Sequence, residues 1–89
     1  MTKKRRKLNK DFEKKIYSSR KNVELVLAKI YDIDDEDIQK EYMSSFNRVV
    51  HLYDELKEDY EEKGFNDNSE QFLENYKNAF NLFESEFEI

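Results

Sequence analysis

The sequence predicts an all-α fold, an antiparallel three-helix bundle with coiled-coil-like heptad packing. The 89-residue chain has no proline and one glycine, so few positions can interrupt a helix. Apolar residues recur at alternating steps of three and four in three successive segments, as in left-handed helical bundles. Two short polar segments, 32–37 and 63–69, separate these patterns. Connections this short make neighbouring helices antiparallel.

The first predicted helix covers about residues 8–31 and follows a basic N-terminal extension, residues 1–7. Its stripe advances in steps of 4, 3, 4, 3 and 4, and one member is small and polar: Phe12, Ile16, Ser19, Val23, Val26 and Ile30. At such a core position we expect the Ser19 hydroxyl to bond back to the preceding helical turn.

The second predicted helix covers about residues 35–62. Asp34 is the expected N-cap, and acidic residues follow it in the first turn, where the helix dipole is positive. Ile33 and Ile38 have the spacing of a hydrophobic staple. The stripe of this helix is largely aromatic and consists of Ile38, Tyr42, Phe46, Val49, Tyr53, Leu56 and Tyr60.

The third predicted helix covers about residues 68–87. Gly64 suits the end of the second helix, and either Asp67 with Glu70 or Asn68 with Gln71 offers a capping box. The stripe is again aromatic, with Phe72 beside it: Leu73, Tyr76, Phe80, Phe83 and Phe87. Such a stripe is more typical of a hydrophobic core than of a ligand-binding site.

Composition limits the class of protein to a single helical domain, residues 1–89. Six tyrosines and seven phenylalanines are too many for a disordered acidic tail, and the absence of cysteine suits a reducing compartment. No apolar run is long enough to span a membrane, and no apolar segment follows the basic start as in a secretory signal. The bias towards Lys, Asn, Asp, Glu and Tyr is typical of AT-rich bacterial genomes and their phages. We therefore expect a cytoplasmic protein of a bacterial host.

The sequence offers little chemistry for catalysis, so we expect that the protein is not an enzyme. His51 is the single histidine, and no Glu-x-x-His pair accompanies it. One glycine cannot build a phosphate-binding loop, and segment 32–37 lacks the glycine and terminal glutamate of a calcium loop. We therefore expect no metal and no cofactor.

Charge is distributed very unevenly along the chain. Residues 1–21 hold ten cations and two anions, a net charge of +8, whereas residues 22–89 hold six cations and nineteen anions, a net charge of −13. In an antiparallel hairpin the start of helix 1 lies beside the acidic end of helix 2, residues 54–62. The two charge runs can then neutralise each other, although exposed ion pairs are each worth less than about 1 kcal/mol.

The opposite end of the bundle is predicted to gather carboxylates. Helix 3 should run parallel to helix 1, so its end approaches the first turn between helices. We call this set the acidic pole: Asp32, Asp34, Asp35, Glu36, Asp37, Glu84, Glu86 and Glu88. Carboxylates stabilise a helix N-terminus, but those at the end of helix 3 lie where the helix dipole is already negative. Residues placed against local stability are candidates for function, here docking on a basic protein surface.

A second candidate surface is the basic face of helix 1. Its members fall on one side of the helix, opposite the apolar stripe: Lys3, Arg6, Lys7, Lys10, Lys14, Tyr17 and Lys21. Lysines on one face can follow a phosphate backbone, and an aromatic ring among them can stack on a base. The charge of −13 on residues 22–89 opposes this interpretation.

The favoured function is therefore that of a small non-enzymatic binding protein. We expect an inhibitor or regulator of the phage or mobile-element type, whose acidic surface occupies a basic groove of a protein partner. One alternative is a nucleic-acid-binding accessory protein, and another is a bacteriocin-immunity or antitoxin-like protein. Homodimerisation that buries aromatic surface stays open. In size and composition the chain looks like the small accessory proteins of phages and plasmids, anti-CRISPR inhibitors included, although no motif carries this resemblance.

Overall fold

The computed structural model describes residues 7–87 and contains three α-helices, α1 (Lys10–Tyr31), α2 (Glu36–Lys63) and α3 (Ser69–Glu86). The central helix in the packing is α2, which contacts both α1 and α3. Residues near the start of α1 contact the end of α2, and residues near the end of α3 contact the start of α2. The predicted all-α, antiparallel three-helix bundle is confirmed.

The heptad stripes supply the core. Its most deeply buried apolar side chains come from α1 and α2 and are Phe12, Ile30, Phe46, Val49 and Leu56. Burial of such side chains stabilises a fold by about 1.5–3 kcal/mol each. Ile38 is an exception, because 44% of it is exposed. Ile38 lies in the first turn of α2. The prediction that it belongs to the core stripe was therefore wrong, because the side chain is exposed there.

The start of α1 is fastened to the end of α2. Asn9 is the N-cap of α1, and its side-chain oxygen accepts a hydrogen bond from the Phe12 backbone N–H at 3.0 Å. The Asn9 N–H donates to the Tyr60 hydroxyl at 3.0 Å, and the Phe12 ring lies 5.6 Å from the Tyr60 ring. The Phe65 N–H also donates to the Lys7 carbonyl at 2.6 Å. Polar and aromatic contacts together therefore fix where α1 begins.

The turn between α1 and α2 is one residue longer than predicted. The N-cap of α2 is Asp35, whose Oδ1 accepts from the N–H groups of Asp37 at 2.9 Å and Ile38 at 3.1 Å. The prediction of Asp34 as the cap was wrong, and the shift moves Ile33 and Ile38 out of staple positions. Gln39 instead donates from its side chain to the carbonyls of Ile30 and Tyr31, both at 3.2 Å. These bonds hold the start of α2 to the end of α1, and the Ile30 carbonyl also accepts from the Ile33 N–H at 3.1 Å.

The loop between α2 and α3 depends on one glycine and one asparagine. Gly64 has φ 74° and ψ −167°, a backbone region that is essentially restricted to glycine. The Asn66 amide donates to Asp59 Oδ2 and to the Gly64 carbonyl, both at 2.9 Å, and the Asn66 N–H donates to Ser69 Oγ at 2.9 Å. The capping boxes expected at 67–71 do not form, since the N-cap Asn68 makes no side-chain capping bond, and the Asn68 N–H instead donates to Asn66 Oδ1 at 2.8 Å.

The two interfaces of α3 differ in how closely they pack. Rings of α2 and α3 meet along the whole interface, from Tyr53 and Tyr76 at 6.1 Å to Tyr42 and Phe87 at 4.7 Å between centroids. Contact between α1 and α3 is slight by comparison. One direct polar link is the Tyr76 hydroxyl, which donates to the Ser19 carbonyl at 3.2 Å. The Ser19 hydroxyl itself bonds back to the Lys15 carbonyl at 2.8 Å, as predicted.

Candidate functional site

The fold brings the end of α3 beside the start of α2. The Tyr42 ring lies 6.4 Å from Phe83 and 4.7 Å from Phe87, so the last turn of α3 runs alongside the first turns of α2. The described carboxylates of the acidic pole therefore occupy one end of the bundle, and all of them are exposed: Asp32, Asp34, Asp35, Glu36, Asp37, Glu84 and Glu86. Glu88 lies outside the described residues.

The carboxylates of this pole have unequal structural roles. Asp35 caps α2, and Glu36 and Asp37 lie in its first turn, where a negative charge stabilises the helix. Glu84 and Glu86 lie in the last turn of α3, where the dipole disfavours them. Ion pairs between described residues occur elsewhere, each within one helix: Arg20–Glu24, His51–Glu55 and Lys63–Asp59. The described part of the acidic pole thus presents carboxylates that face solvent.

The basic face of α1 is also exposed to solvent. Lys10, Lys14, Tyr17 and Lys21 are exposed on this helix, and the Lys21 ammonium lies 5.2 Å from the centroid of the Tyr17 ring. That distance is within the range of a cation–π interaction. Lys7, just before the helix, is exposed too. Lys3 and Arg6 lie outside the described residues.

The beginning of this basic face is joined to α2 by hydrogen bonds. The Tyr60 hydroxyl donates to the Glu13 carboxylate and accepts a hydrogen bond from the Asn9 N–H at 3.0 Å. The ion pairs between described residues do not join α1 to α2. Within residues 7–87, hydrogen bonding holds these helix ends together.

A groove separates α1 from α3 and was not predicted from the sequence. Its volume is about 920 Å³, and residues from both helices line it at helical spacing. Val26, Tyr76 and Phe83 form a buried floor, and Leu25 lies at the rim. The signals for this groove were the small polar residues on the facing side of α1 and the position of Leu25 outside the apolar stripe.

Exposed apolar residues of α1 gather beside this groove. Leu25 is 58% exposed and Tyr31 is 67% exposed, and both line a shallower depression of about 320 Å³ together with Ala28. The groove and the depression share Leu25 and Lys29. Leu25 and Tyr31 lie outside the apolar stripe of α1, and the structure shows that they adjoin.

Tyr76 keeps the floor of the groove uncharged. Burial raises its pKa to about 12, because desolvation disfavours the phenolate, although the hydrogen bond to Ser19 works in the opposite direction. Burial also raises the pKa of Tyr53, on the facing side of α2. The Tyr76 hydroxyl therefore stays protonated at alkaline pH values where an ordinary tyrosine would ionise.

Groups suited to metal binding or catalysis do not converge in the described part of the chain. Among residues 7–87 no three His, Asp or Glu side chains are arranged to hold a metal ion. His51 is exposed, with its Nε2 3.4 Å from the Glu55 carboxylate one turn away. None of the described helices has an apolar stretch long enough to cross a bilayer.

Comparisons with known proteins do not indicate a function for this chain, so the functional argument depends on the surfaces described above. Neither protein-family models, nor curated proteins, nor solved structures gave a significant match to this chain.

Proposed function

We propose that this chain is a small non-enzymatic helical binding protein, an inhibitor or regulator of the phage or mobile-element type. Its acidic pole occupies a basic groove on a protein partner in the cytoplasm of a bacterial host. The observation that supports this proposal is the contact of Tyr42 with Phe87 at 4.7 Å, because it brings the end of α3, which carries Glu84 and Glu86, alongside the N-terminal part of α2.

The electrostatics of the pole favour binding over stability. A carboxylate in the last turn of a helix costs about 0.3–1 kcal/mol, and Glu84 and Glu86 both lie there. A basic partner surface removes this penalty and accelerates association through electrostatic steering. The proposed mechanism is steric occupation, since the partner's groove is filled by a rigid helix end.

Charge reversal at the pole tests this function directly. The variant Glu84→Lys/Glu86→Lys is compared with Glu58→Lys/Glu62→Lys, which makes the same charge change on exposed residues near the opposite end of the molecule. Tagged proteins capture partners from a nuclease-treated host lysate, and the partner identified by mass spectrometry is purified for calorimetry. We expect the pole variant to lose at least tenfold in affinity and the control variant to bind as the wild type does.

Both variants should retain the helical circular dichroism of the wild type, because all four residues are exposed. A partner that binds the pole variant with unchanged affinity would show that the acidic pole is not the docking surface. An equal loss in the two variants would attribute the effect to net charge alone.

A second candidate function is nucleic-acid binding through the basic face of α1. The contact of Lys21 with the Tyr17 ring favours it, since lysine and an aromatic ring are together exposed on one side of the helix. Titration of single-stranded and duplex oligonucleotides at about 50 mM and 200 mM salt tests it, because phosphate contacts weaken steeply over that range. No complex at the lower salt concentration would eliminate this function.

A further inference from the structure

The groove between α1 and α3 runs along both helices. Its α1 wall extends from Lys14 to Lys29, a distance of about 22 Å at 1.5 Å per residue. The α3 wall extends beside it from Tyr76 to Phe87. Because α2 holds both helices from the other side, a rod placed in the groove would contact two parallel helices, as a helix does in a four-helix bundle.

The lining of the groove suits an apolar helical stripe. Val26, Tyr76 and Phe83 close its floor, while Phe80 and Phe87 are half-buried and retain accessible ring surface. Leu25 lies exposed at the rim, and the apolar surface continues past it to Ala28 and Tyr31.

The charge of the groove is opposite to that of the protein as a whole. Lys14, Lys15, Lys29 and Lys77 line it together with a single carboxylate, Glu84, which gives the lining a net charge of +3 in a chain of net charge −5. All five side chains are exposed. Such a surface attracts an anionic partner and repels an identical groove of a second copy.

We propose that this groove binds an acidic amphipathic α-helix of a protein partner. The helix would be about four turns long, with apolar residues at i, i+3, i+4 and i+7 facing the groove floor and carboxylates on its flanks facing the lysines. Glu84 at one end of the groove favours the positive N-terminus of the bound helix there. The bound helix therefore runs antiparallel to α1 and α3. This second docking surface goes beyond the proposed function, because the groove would bind an acidic partner, whereas the acidic pole would bind a basic one.

Two synthetic peptides provide the probe. Both are 18-residue helices with the same leucine and alanine stripe, one flanked by glutamates and the other by lysines. Binding to the full chain is measured by fluorescence anisotropy. We expect saturable binding of the glutamate peptide and none of the lysine peptide. Because the protein has a net charge of −5, non-specific attraction would produce the opposite preference.

Matched variants locate the binding in the groove. Lys14→Glu/Lys77→Glu reverses two groove charges, and Lys40→Glu/Arg48→Glu makes the same change at exposed residues of α2 outside it. We expect the groove variant, and separately Leu25→Asp, to weaken binding of the glutamate peptide at least tenfold, and the α2 variant to leave it within twofold of the wild type.

Several outcomes would overturn the proposal. Absence of saturable binding of the glutamate peptide, equal binding of both peptides, or unchanged binding by the groove variants would each do so. Sedimentation velocity supplies a further test, since a dimer that Leu25→Asp dissociates would assign the groove to a second copy. Displacement of the peptide by a single-stranded oligonucleotide at equal concentration would assign it to nucleic acid.

Discussion

The two flanks of α3 are built from different side chains, and they pack differently. Towards α2, large rings meet ring against ring, as Phe46 does with Phe80 at 6.2 Å and with Phe83 at 4.8 Å. Towards α1, the Tyr76 hydroxyl meets a backbone carbonyl at Ser19, and the groove opens beyond it. The α2–α3 interface is closed by apolar contact, whereas the α1–α3 side is bridged by a hydrogen bond.

This difference follows from side-chain volume at facing positions. Two aromatic rings fill the distance between helix axes and exclude water, which stabilises the closed interface. Ser19 and Asn22 on α1 are too small and polar to fill the same distance. The closed interface therefore provides stability, and the open one leaves apolar surface accessible.

The largest predicted change in stability comes from a substitution that disrupts the closed interface between α2 and α3. Phe46→Ala removes a fully buried ring that touches two rings of α3, and we expect a loss of about 3–5 kcal/mol in the free energy of unfolding. That is a large share of the stability of a domain this size. Urea denaturation followed by circular dichroism measures it. Leu82→Ala, at an exposed position of α3, is the control and should change stability by less than about 0.5 kcal/mol.

A smaller loss in the free energy of unfolding is predicted for a substitution in the loop that connects α2 to α3. Asn66→Ala removes the amide that satisfies the buried Asp59 carboxylate and the Gly64 carbonyl, so we expect a loss of about 2 kcal/mol. Asn68→Ala is the matched control, since Asn68 makes no side-chain capping bond. Equal unfolding midpoints for the two variants in urea would mean that the Asn66 network does not hold the loop.

On the open side, the hydrogen bond between helices is predicted to contribute modestly. Tyr76→Phe keeps the ring and removes the hydroxyl that reaches Ser19, so stability should fall by about 1 kcal/mol. Amide hydrogen exchange should increase in α1 near Ser19 more than in α2. Uniform loss of protection across all helices would contradict a local role for this bond.

The difference in stability between the wild type and Tyr76→Phe is predicted to depend on pH. The pKa of Tyr76 is raised to about 12 in the folded state from about 10 in the unfolded state. The neutral form is therefore favoured by folding, and its contribution is complete below pH 10 and is lost as the pH rises towards 12. We expect the stability advantage of the wild type over Tyr76→Phe to shrink between pH 10 and pH 12. An advantage that grows over this range would contradict the raised pKa.

The smallest predicted effect is at the groove rim. Leu25→Ala should leave the free energy of unfolding within about 0.5 kcal/mol of the wild type, because Leu25 is 58% exposed. The neighbouring Val26→Ala should cost about 2 kcal/mol, since Val26 is buried in the core. Paired urea titrations measure the contrast. A large loss at Leu25 would mean that the groove is part of the core.

Periodicity predicted most of the core because a helix that packs on neighbours must repeat its apolar face. Phe12, Val23, Phe46 and Leu73 are all buried as their spacing indicates. Capping was harder to predict. Asp34 and Asp35 are both suitable caps in sequence, and the choice depends on how many residues the turn after Tyr31 needs. Asn66 acts through contacts that only the folded loop creates.

The candidate surfaces also divide into those that the sequence predicted and one that only the folded structure revealed. The carboxylates of the acidic pole and the lysines of the basic face were visible in the sequence, and antiparallel topology was enough to assign them to opposite ends. The groove was not visible, because it depends on the separation of two helices that are far apart in sequence. Leu25 lies off the stripe, and its exposure beside Lys29 and Phe80 follows from the helix arrangement.

The sequence by itself determined the number of helices, their apolar faces and the uneven charge along the chain. These follow from local spacing and from residue types that interrupt or cap a helix. The tertiary structure decided which helix pair closes, because that depends on whether the side chains that meet are large enough to fill the space. It closed α2 on α3 with aromatic rings and left α1 and α3 apart, lined with lysines, in an otherwise acidic protein.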